Sequence, residues 1–418
     1  MKRFLFLLCI VSSFAHGQQT AQDLFNQYQS ALYQIRIIEL GSGNKSSIGS
    51  GFQIDQQGNV LTNYHVVSEY VFNPDKFRME FLTKDGQSGP LTLVNFDVVN
   101  DLALVRKESD GNQQTIFSIA DELPEQGTTI YSLGNPHDLG MIVVPGTFNG
   151  IKKNSFYQRI HFTGAINPGM SGGPVVNAQG QVMGVNVATA GNQIGFLIPL
   201  SKIQRLAAKH LDSALPVEQF KPNIQQQLLS NQAELISKLQ TSEWQYSILG
   251  KAIVPTQIGE ILSCWGDSNN SDDEALFLTV ENRCHLDEQV YLHNGLRSGG
   301  IELEFEWIDG RQLGEHRFYS LFSKSVTGAG AGNIATKADV TNYQCEQDKV
   351  ANQHGVNSKA VLCVRAYKDF DGLYDVLYIS ATLDHQEQGL ISHFTLAGVA
   401  MDTALSFSKQ FMDAIAWQ

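Results

Sequence analysis

The stretch of chain between about residues 32 and 200 is a succession of short apolar segments with strand-like alternation. Glycine, asparagine, aspartate and proline lie between the segments, and these residues mark turns. So many short strands predict an all-β fold, either a double barrel or a sandwich. The segments are LYQIRIIEL, GSGFQI, NVLTNYHVV, FRMEFLT, LTLVNFD, LALVRK, TIYSLG, IVVPGTFNG, QRIHFTG, GPVVNA, VMGVNVAT and IGFLIPL.

The rest of the chain has a different pattern. With 418 residues it is long enough for two or three domains. Helical spacing follows the β segments, first in SKIQRLAAKHL and then among glutamines, and alternation returns after about residue 251, before a final helix expected over 401–417. The predicted units are a signal peptide over 1–17, a β domain over 18–212, a helical linker over 213–250 and an α+β domain over 251–418.

The N-terminus, MKRFLFLLCIVSSFAHG, has two basic residues, an apolar run and small residues. The run is about half of the roughly 20 residues that a membrane span needs, so the segment predicts a cleaved secretory signal and no membrane anchor in the mature chain. We therefore expect a periplasmic or secreted protein. Loss of Lys2 and Arg3 takes the formal charge from −13 to −15. This charge argues against nucleic acid or an anionic membrane as the main partner.

The cysteines agree with export. Cys9 leaves with the signal, and the four others lie in the last third of the chain. Four cysteines allow three pairings, and we favour the two that each close a short strand-turn-strand segment. Zinc is the alternative, but there is no Cys-x-x-Cys. The acidic segment 266–274 does not have the central glycine and terminal glutamate of a calcium-binding hand at their required spacing, so no metal is expected. The predicted disulfides are Cys264–Cys284 and Cys345–Cys363.

The segment INPGMSGGPVV surrounds Ser171 with glycines and prolines. A serine hydroxyl is a poor nucleophile unless a base activates it and backbone amides stabilise the charge on the substrate oxygen. Gly169 can adopt backbone angles that turn such amides toward a carbonyl. The segment Gly169–Ser171, including Met170, is therefore a candidate oxyanion hole. A tight glycine-rich turn without catalytic function is the alternative.

Two further residues complete a candidate catalytic set. His65 stands at the end of the predicted strand NVLTNYHVV, and Asp101 precedes the apolar strand LALVRK. Either residue alone would be unremarkable. The order His, Asp, Ser, with separations of 36 and 70 residues, is nevertheless that of a nucleophilic serine whose histidine base is oriented by a carboxylate.

With these residues in place, the sequence resembles the chymotrypsin-fold serine proteases and, within them, the HtrA/Deg family. The likeness is carried by GSGFQIDQQGNVLTNYHVV, NDLALVRK, YSLGNPHDLG, VVPGTFNGI, TGAINPGMSGGPVVNAQGQVMGVNVAT and IGFLIP, over about residues 30–210. The resemblance implies a mainly β protein with a chymotrypsin-like double β-barrel, an active site between the barrels and polypeptide substrates. It implies no metal or organic cofactor, and a loop that a partner or peptide can activate.

Two positions of the sequence depart from the patterns of related proteases, and one of them bears on the expected substrate preference. Met170 stands where HtrA enzymes usually have asparagine and chymotrypsin-like enzymes have aspartate. The pocket-floor position six residues before the serine is Ala165, followed by Ile166, so no acid is available to pair with a basic substrate side chain. We therefore expect small or medium apolar residues before the scissile bond. The candidate substrate-binding residues are Ala165, Ile166 and Asn186.

The C-terminal domain resembles no peptide-binding PDZ module of the HtrA proteins, and its role cannot be assigned from the sequence. Two alternatives to proteolysis stay open. The barrel could be the scaffold of a non-proteolytic binding protein that uses the C-terminal domain for recognition. A chaperone with secondary proteolysis follows only by family analogy.

Overall fold

The computed structural model describes residues 20–108, 115–209, 213–272 and 274–418. The signal peptide predicted over residues 1–17 lies outside these described residues. In the part that is described, no helix is both long enough and apolar enough to cross a bilayer.

Two closed six-stranded antiparallel barrels form the first half of the described chain. The first has β1 (Leu32–Glu39), β2 (Lys45–Gln53), β3 (Asn59–Thr62), β4 (Phe77–Leu82), β5 (Ser88–Asp97) and β6 (Leu102–Lys107). The second has β7 (Thr129–Gly134), β8 (Ile142–Ile151), β9 (Ile160–Thr163), β10 (Pro174–Val176), β11 (Val182–Gly191) and β12 (Ile194–Pro199). The predicted double barrel is confirmed, and each of the twelve predicted segments overlaps one strand.

Three helices accompany the barrels: α1 (Ala21–Tyr28), α2 (Tyr64–Phe72) and α3 (Leu200–Ala207). Because successive side chains point to opposite faces of a strand, the two faces of a barrel strand pack into different apolar clusters. In β6, Ala103 and Val105 belong to a cluster with residues of the other first-barrel strands, whereas Leu102 and Leu104 belong to the layer between the barrels. This two-sided burial is the reason that β6 reads as a continuous apolar run.

The C-terminal part is an α+β structure, as predicted. Its strands are β13 (Trp244–Leu249), β14 (Ala252–Ile258), β15 (Ser263–Ser268), β16 (Leu278–His285), β17 (Val290–His293), β18 (Leu296–Ser298), β19 (Ile301–Asp309), β20 (Gln344–Ala351), β21 (Asn357–Ala366), β22 (Tyr374–Thr382), β23 (Gln388–Val399) and β24 (Ala416–Trp417). Its helices are α4 (Phe220–Thr241), α5 (Glu315–Gly328) and α6 (Met401–Asp413). The predicted linker segment thus holds α4 and β13. The final helix, predicted over 401–417, is α6 and ends at Asp413, before β24.

A seven-stranded sheet in the order β15-β16-β19-β23-β22-β21-β20 organises this part. Both disulfides join directly facing residues near its two edges, Cys264 with Cys284 between β15 and β16, and Cys345 with Cys363 between β20 and β21. These are the two pairings predicted from the sequence. A hairpin of β17 and β18 stands apart from the sheet.

The first barrel and the C-terminal part share one continuous apolar core. Residues of β1 and α2, such as Ile35 and Val67, belong to the same buried cluster as Leu235 of α4 and as Leu292 and Phe394 of the C-terminal strands. Burial on this scale makes the contact between the two parts comparable to a domain interior. The C-terminal part is therefore packed directly behind the barrel that carries His65 and Asp101.

Candidate active site

His65 lies in a helix, and not at the end of a strand as the sequence suggested. Strand β3 ends at Thr62, and α2 begins at Tyr64 after Asn63, whose extended backbone forms the N-cap. The side chain of Asn63 donates through Nδ2 to the carbonyl oxygen of Asp101 at 2.8 Å. The strand prediction for NYHVV is wrong because the chain turns here to meet the Asp101 loop.

Asp101 holds His65 through both of its carboxylate oxygens. Oδ2 lies 2.7 Å from Nδ1 of His65, and Oδ1 accepts the backbone N–H of His65 at 2.8 Å. Asp101 itself has φ of +61°, in the left-handed region that an aspartate tolerates better than most residues. One bond anchors the backbone of His65 and the other holds Nδ1 of its ring toward Asp101, so Nε2 is left for a substrate or nucleophile.

The environment determines the protonation of His65. Burial acts to lower its pKa, while the negative charge of Asp101 and the hydrogen bond to Nδ1 act to raise it. The net result is a pKa above the ordinary histidine value of about 6.5. The side chain is still 29% exposed, so solvent reaches part of the imidazole.

Two glycines allow the loop of Ser171 to lie close against both barrels. Gly169 has φ of +93°, and a Cβ there would lie 2.4 Å from the carbonyl oxygen of Asn135. Gly172 has φ of +83°, and a Cβ there would lie 2.3 Å from the carbonyl oxygen of Ser50. No other residue type fits these positions without moving the backbone. The glycines therefore serve the shape of this loop.

The loop of Ser171 also touches the segment of His65. A Cβ on Gly172 would lie 2.9 Å from the backbone nitrogen of Asn63. A Cβ on Gly49 would lie 2.5 Å from Cγ2 of Val66 and 3.1 Å from the carbonyl oxygen of Ser171. The segments that carry His65 and Ser171 are therefore in direct contact, with no room for a side chain on Gly172 or Gly49 between them. Since Asp101 is bonded to His65, the three candidate residues lie in one region of the structure.

The backbone of the predicted oxyanion segment has two free donors. Within the described residues, the N–H groups of Gly169 and Ser171 donate no hydrogen bond. The carbonyl oxygen of Pro168 accepts the N–H of His137 at 2.8 Å, and the peptide bonds of the described chain are trans. The N–H of Gly169, on the opposite side of that peptide unit, therefore points away from His137. Such free donors are what a developing oxyanion needs.

Ser50 of β2 was not predicted from the sequence, although it lies in GSGFQI. Its Oγ donates to the carbonyl oxygen of Gly169 at 2.7 Å and accepts the N–H of Asn135 at 2.9 Å. Its backbone N–H donates to the carbonyl oxygen of Ser171 at 2.7 Å. This completely buried serine of the first barrel thus ties down two loops of the second barrel.

Met170 is completely buried and packs in the interior of the second barrel with Ile166, Phe162 and Leu197. A Cβ on Gly134 would lie 2.9 Å from the Cα of Met170, so the barrel wall closes tightly over it. The unusual residue before Ser171 is therefore an apolar anchor for the loop. Its burial accounts for the absence of a carboxylate or amide at this position.

The predicted substrate-binding residues differ in their surroundings. Ala165 is exposed, and Ile166 is 6% exposed in the second-barrel core. Asn186 is completely buried: its Oδ1 accepts the hydroxyl of Ser132 at 2.9 Å, and its Nδ2 donates to the carbonyl oxygen of Met170 at 3.3 Å. These bonds make Asn186 a support of the Ser171 loop. Contact of the three residues with substrate stays a prediction.

Residues 49–185 match the model of the family described as trypsin-like peptidase domain. The "Probable periplasmic serine endoprotease DegP-like" of Chlamydia pneumoniae is 33% identical over 168 residues, which are 38% of this chain and 33% of that protein. "Serine endoprotease DegS" of Escherichia coli (strain K12) is 29% identical over 182 residues, which are 40% of this chain and 48% of that protein.

Among solved structures, the "serine endoprotease from Yersinia pestis" aligns with a TM-score of 0.40 at 24% identity, covering 46% of this chain and 66% of that one. The resemblance predicted from the sequence, to trypsin-like peptidases and to HtrA/Deg proteins, is confirmed for the protease half. The chain spans about a third to a half of the length of these two curated relatives.

Proposed function

We propose that this protein is a serine endopeptidase that hydrolyses polypeptides through an acyl-enzyme. Ser171 is the nucleophile, His65 the general base and acid, and Asp101 the residue that fixes the histidine tautomer. The proposal is supported above all by the 2.7 Å contact between Nδ1 of His65 and Asp101, next to a glycine-shaped serine loop with two free backbone donors. The family match and the names of the relatives agree with it and do not favour a non-proteolytic scaffold.

The mechanism follows from the roles of these groups. The Oγ of Ser171 attacks the peptide carbonyl while Nε2 of His65 takes its proton, and the same nitrogen then protonates the leaving amine. Water hydrolyses the acyl-enzyme by the reverse use of His65. The N–H groups of Gly169 and Ser171 stabilise the oxyanion, which is typically worth about 3–4 kcal/mol per donor. The chain's own groups supply each of these steps.

The apolar surroundings of Ile166 support a preference for small or medium apolar residues before the scissile bond, because a basic side chain there would lack a partner. Export to the periplasm or medium is supported by the name of the periplasmic relative and by the predicted signal. A peptide library tests the preference: cleavage after Val, Ala, Leu or Ile is expected, and strong cleavage after Arg would contradict the pocket argument.

Labelling by a fluorophosphonate, measured by intact mass, tests the chemistry directly. The reagent phosphonylates a serine only where a base and an oxyanion site activate it. We expect one adduct on the folded protein and none on Ser171→Ala. Exposed Ser46 of β2 offers a matched control, since Ser46→Ala should label like the unmodified protein. A folded protein without an adduct would refute a competent catalytic site.

A further inference from the structure

The hairpin of β17 and β18 packs directly on α2, the helix that carries His65. The hydroxyl of Tyr64 donates to the carbonyl oxygen of Leu292 at 3.2 Å, in the completely buried interior. Farther along the helix, the ring of Phe72 lies 4.5 Å from that of His293. The contacts therefore fall on both sides of His65, so the C-terminal part covers the helix along most of its length.

Between these two contacts, Tyr291 reaches His65 itself. The two ring centroids lie 6.2 Å apart with an interplanar angle of 80°, the edge-to-face arrangement that aromatic rings prefer. Burial raises the pKa of the Tyr291 hydroxyl, and the nearby side chain of Ser68 acts to lower it. The Oγ of Ser68 in turn donates to the carbonyl oxygen of His65 at 3.0 Å. Tyr291 thus packs against the histidine ring and lies near a residue that is bound to the histidine backbone.

The hairpin presents Tyr291 from a fixed position. Val290, Leu292 and Leu296, which flank Tyr291 in the hairpin, are at most 2% exposed and belong to the core shared with the first barrel. On the other side, the guanidinium of Arg297 lies 6.0 Å from the centre of the Tyr291 ring. A side chain held on a packed strand can restrain its neighbour more closely than one on a loop.

We propose that Tyr291 is a positioning residue for His65, through which the C-terminal part completes the catalytic site. Asp101 binds the imidazole at Nδ1, but a ring held at one atom can still turn about that contact. The Tyr291 ring occupies the space beside the imidazole and limits this rotation, so it restrains the direction in which Nε2 points. The inference rests on the proposed function, in which His65 is the base.

Two variants separate the ring from the hydroxyl. Tyr291→Ala removes the restraint and should lower the fluorophosphonate labelling rate about 10- to 100-fold, the range expected when a catalytic group is misplaced by about 1 Å. Tyr291→Phe keeps the ring and should label within about threefold of the unmodified protein. Tyr319→Ala is the matched control, since Tyr319 is a 48% exposed tyrosine of α5 in the same part of the chain. Unfolding curves of each variant establish that it is folded.

A second measurement does not depend on catalysis. In Ser171→Ala protein labelled with ¹⁵N-histidine, the Nδ1 proton shared by His65 and Asp101 gives a low-field resonance. Adding Tyr291→Ala should broaden or remove this signal, and Tyr291→Phe should restore it. If the unmodified protein fails to label but the signal depends on Tyr291, the proposed function fails and the positioning role stands. Unchanged signal and labelling in folded Tyr291→Ala would overturn the role of Tyr291.

Discussion

Replacing Ser50 with alanine tests how the oxyanion segment is held. The hydroxyl donates to the carbonyl oxygen of Gly169 at 2.7 Å and accepts the N–H of Asn135 at 2.9 Å, and Ser50 is completely buried. In Ser50→Ala both groups lose their partner where water cannot replace it. An unsatisfied buried polar group costs about 1–3 kcal/mol, so the loss of both partners should lower the free energy of unfolding by about 2–6 kcal/mol.

The effect on activity follows from the same bond. The carbonyl of Gly169 lies in the peptide unit that leads into Met170 and Ser171, so its release lets the segment leave the conformation with two free donors. A conformational preference of about 1.4 kcal/mol corresponds to a tenfold population change. The hydrogen bond from Ser50 contributes the typical value of about 0.5–1.5 kcal/mol to this preference, and the cost of the unpaired carbonyl adds to it. The rate of fluorophosphonate labelling should therefore fall by at least about tenfold.

Denaturant unfolding and the labelling rate constant measure the two effects on the same preparation. Ser46→Ala, at an exposed position of the same strand, controls for loss of a hydroxyl from β2. A Ser50→Ala protein that unfolds within about 0.5 kcal/mol of the unmodified one and labels within about twofold would refute the argument, since surface substitutions commonly stay within such limits.

Two further outcomes are expected. Burial lowers the pKa of His65 and Asp101 raises it, so the labelling rate of the unmodified protein should rise with pH through a pKa above about 6.5. Asp101→Asn should label about 10⁴-fold more slowly, and its His65 pKa, measured by ¹⁵N NMR, should lie below about 6.5. A higher His65 pKa in the variant would contradict this assignment. The free energy of unfolding of Met170→Leu should lie within about 1.5 kcal/mol of that of the unmodified protein. Met170→Asp should lower the unfolding midpoint strongly, because it places a carboxyl group among apolar side chains. Equal midpoints would show that the side chain at this position leaves the core.

Local patterns in the sequence were sufficient to predict the barrels. Each barrel strand has alternating or doubly buried apolar residues between turn residues, and this pattern does not depend on distant contacts. The helix α2 was missed because YHVVSEYVF is rich in β-branched and aromatic residues, whose preference for strands is overridden when the helix is buried on the first barrel. In the C-terminal part, nearly all residues of β23 are buried, so this strand lacks the alternation by which a strand is predicted from the sequence.

The candidate catalytic residues were predictable because their order and spacing form a joint pattern that few chains would satisfy by chance. The contacts that support them were not predictable. A serine such as Ser50 is common in β-strands, and nothing near it in the sequence indicates that its hydroxyl will meet Gly169. The contact of His65 with Tyr291 likewise depends on how two distant parts of the chain pack, and the local periodicity of the sequence gives no information about such packing.

A polar residue of α4 contributes to the packing of this helix on the first barrel. The helix was predicted as a linker because apolar residues recur among glutamines, yet one of these glutamines binds the barrel. The side chain of Gln227 donates to the carbonyl oxygen of Phe96 at 3.1 Å and accepts the N–H of Val98 at 2.8 Å. Phe96 and Val98 lead directly into the loop of Asp101, so α4 helps to set the position of that carboxylate.

Asp101 and His65 are thus each supported from the C-terminal side, the first through Gln227 of α4 and the second through Tyr291 of the hairpin. A protease half without these elements would expose the apolar face of α2 and leave the end of β5 without its bonds to α4. Both losses would act on the candidate catalytic pair, whose geometry is therefore supported by contacts from the C-terminal part.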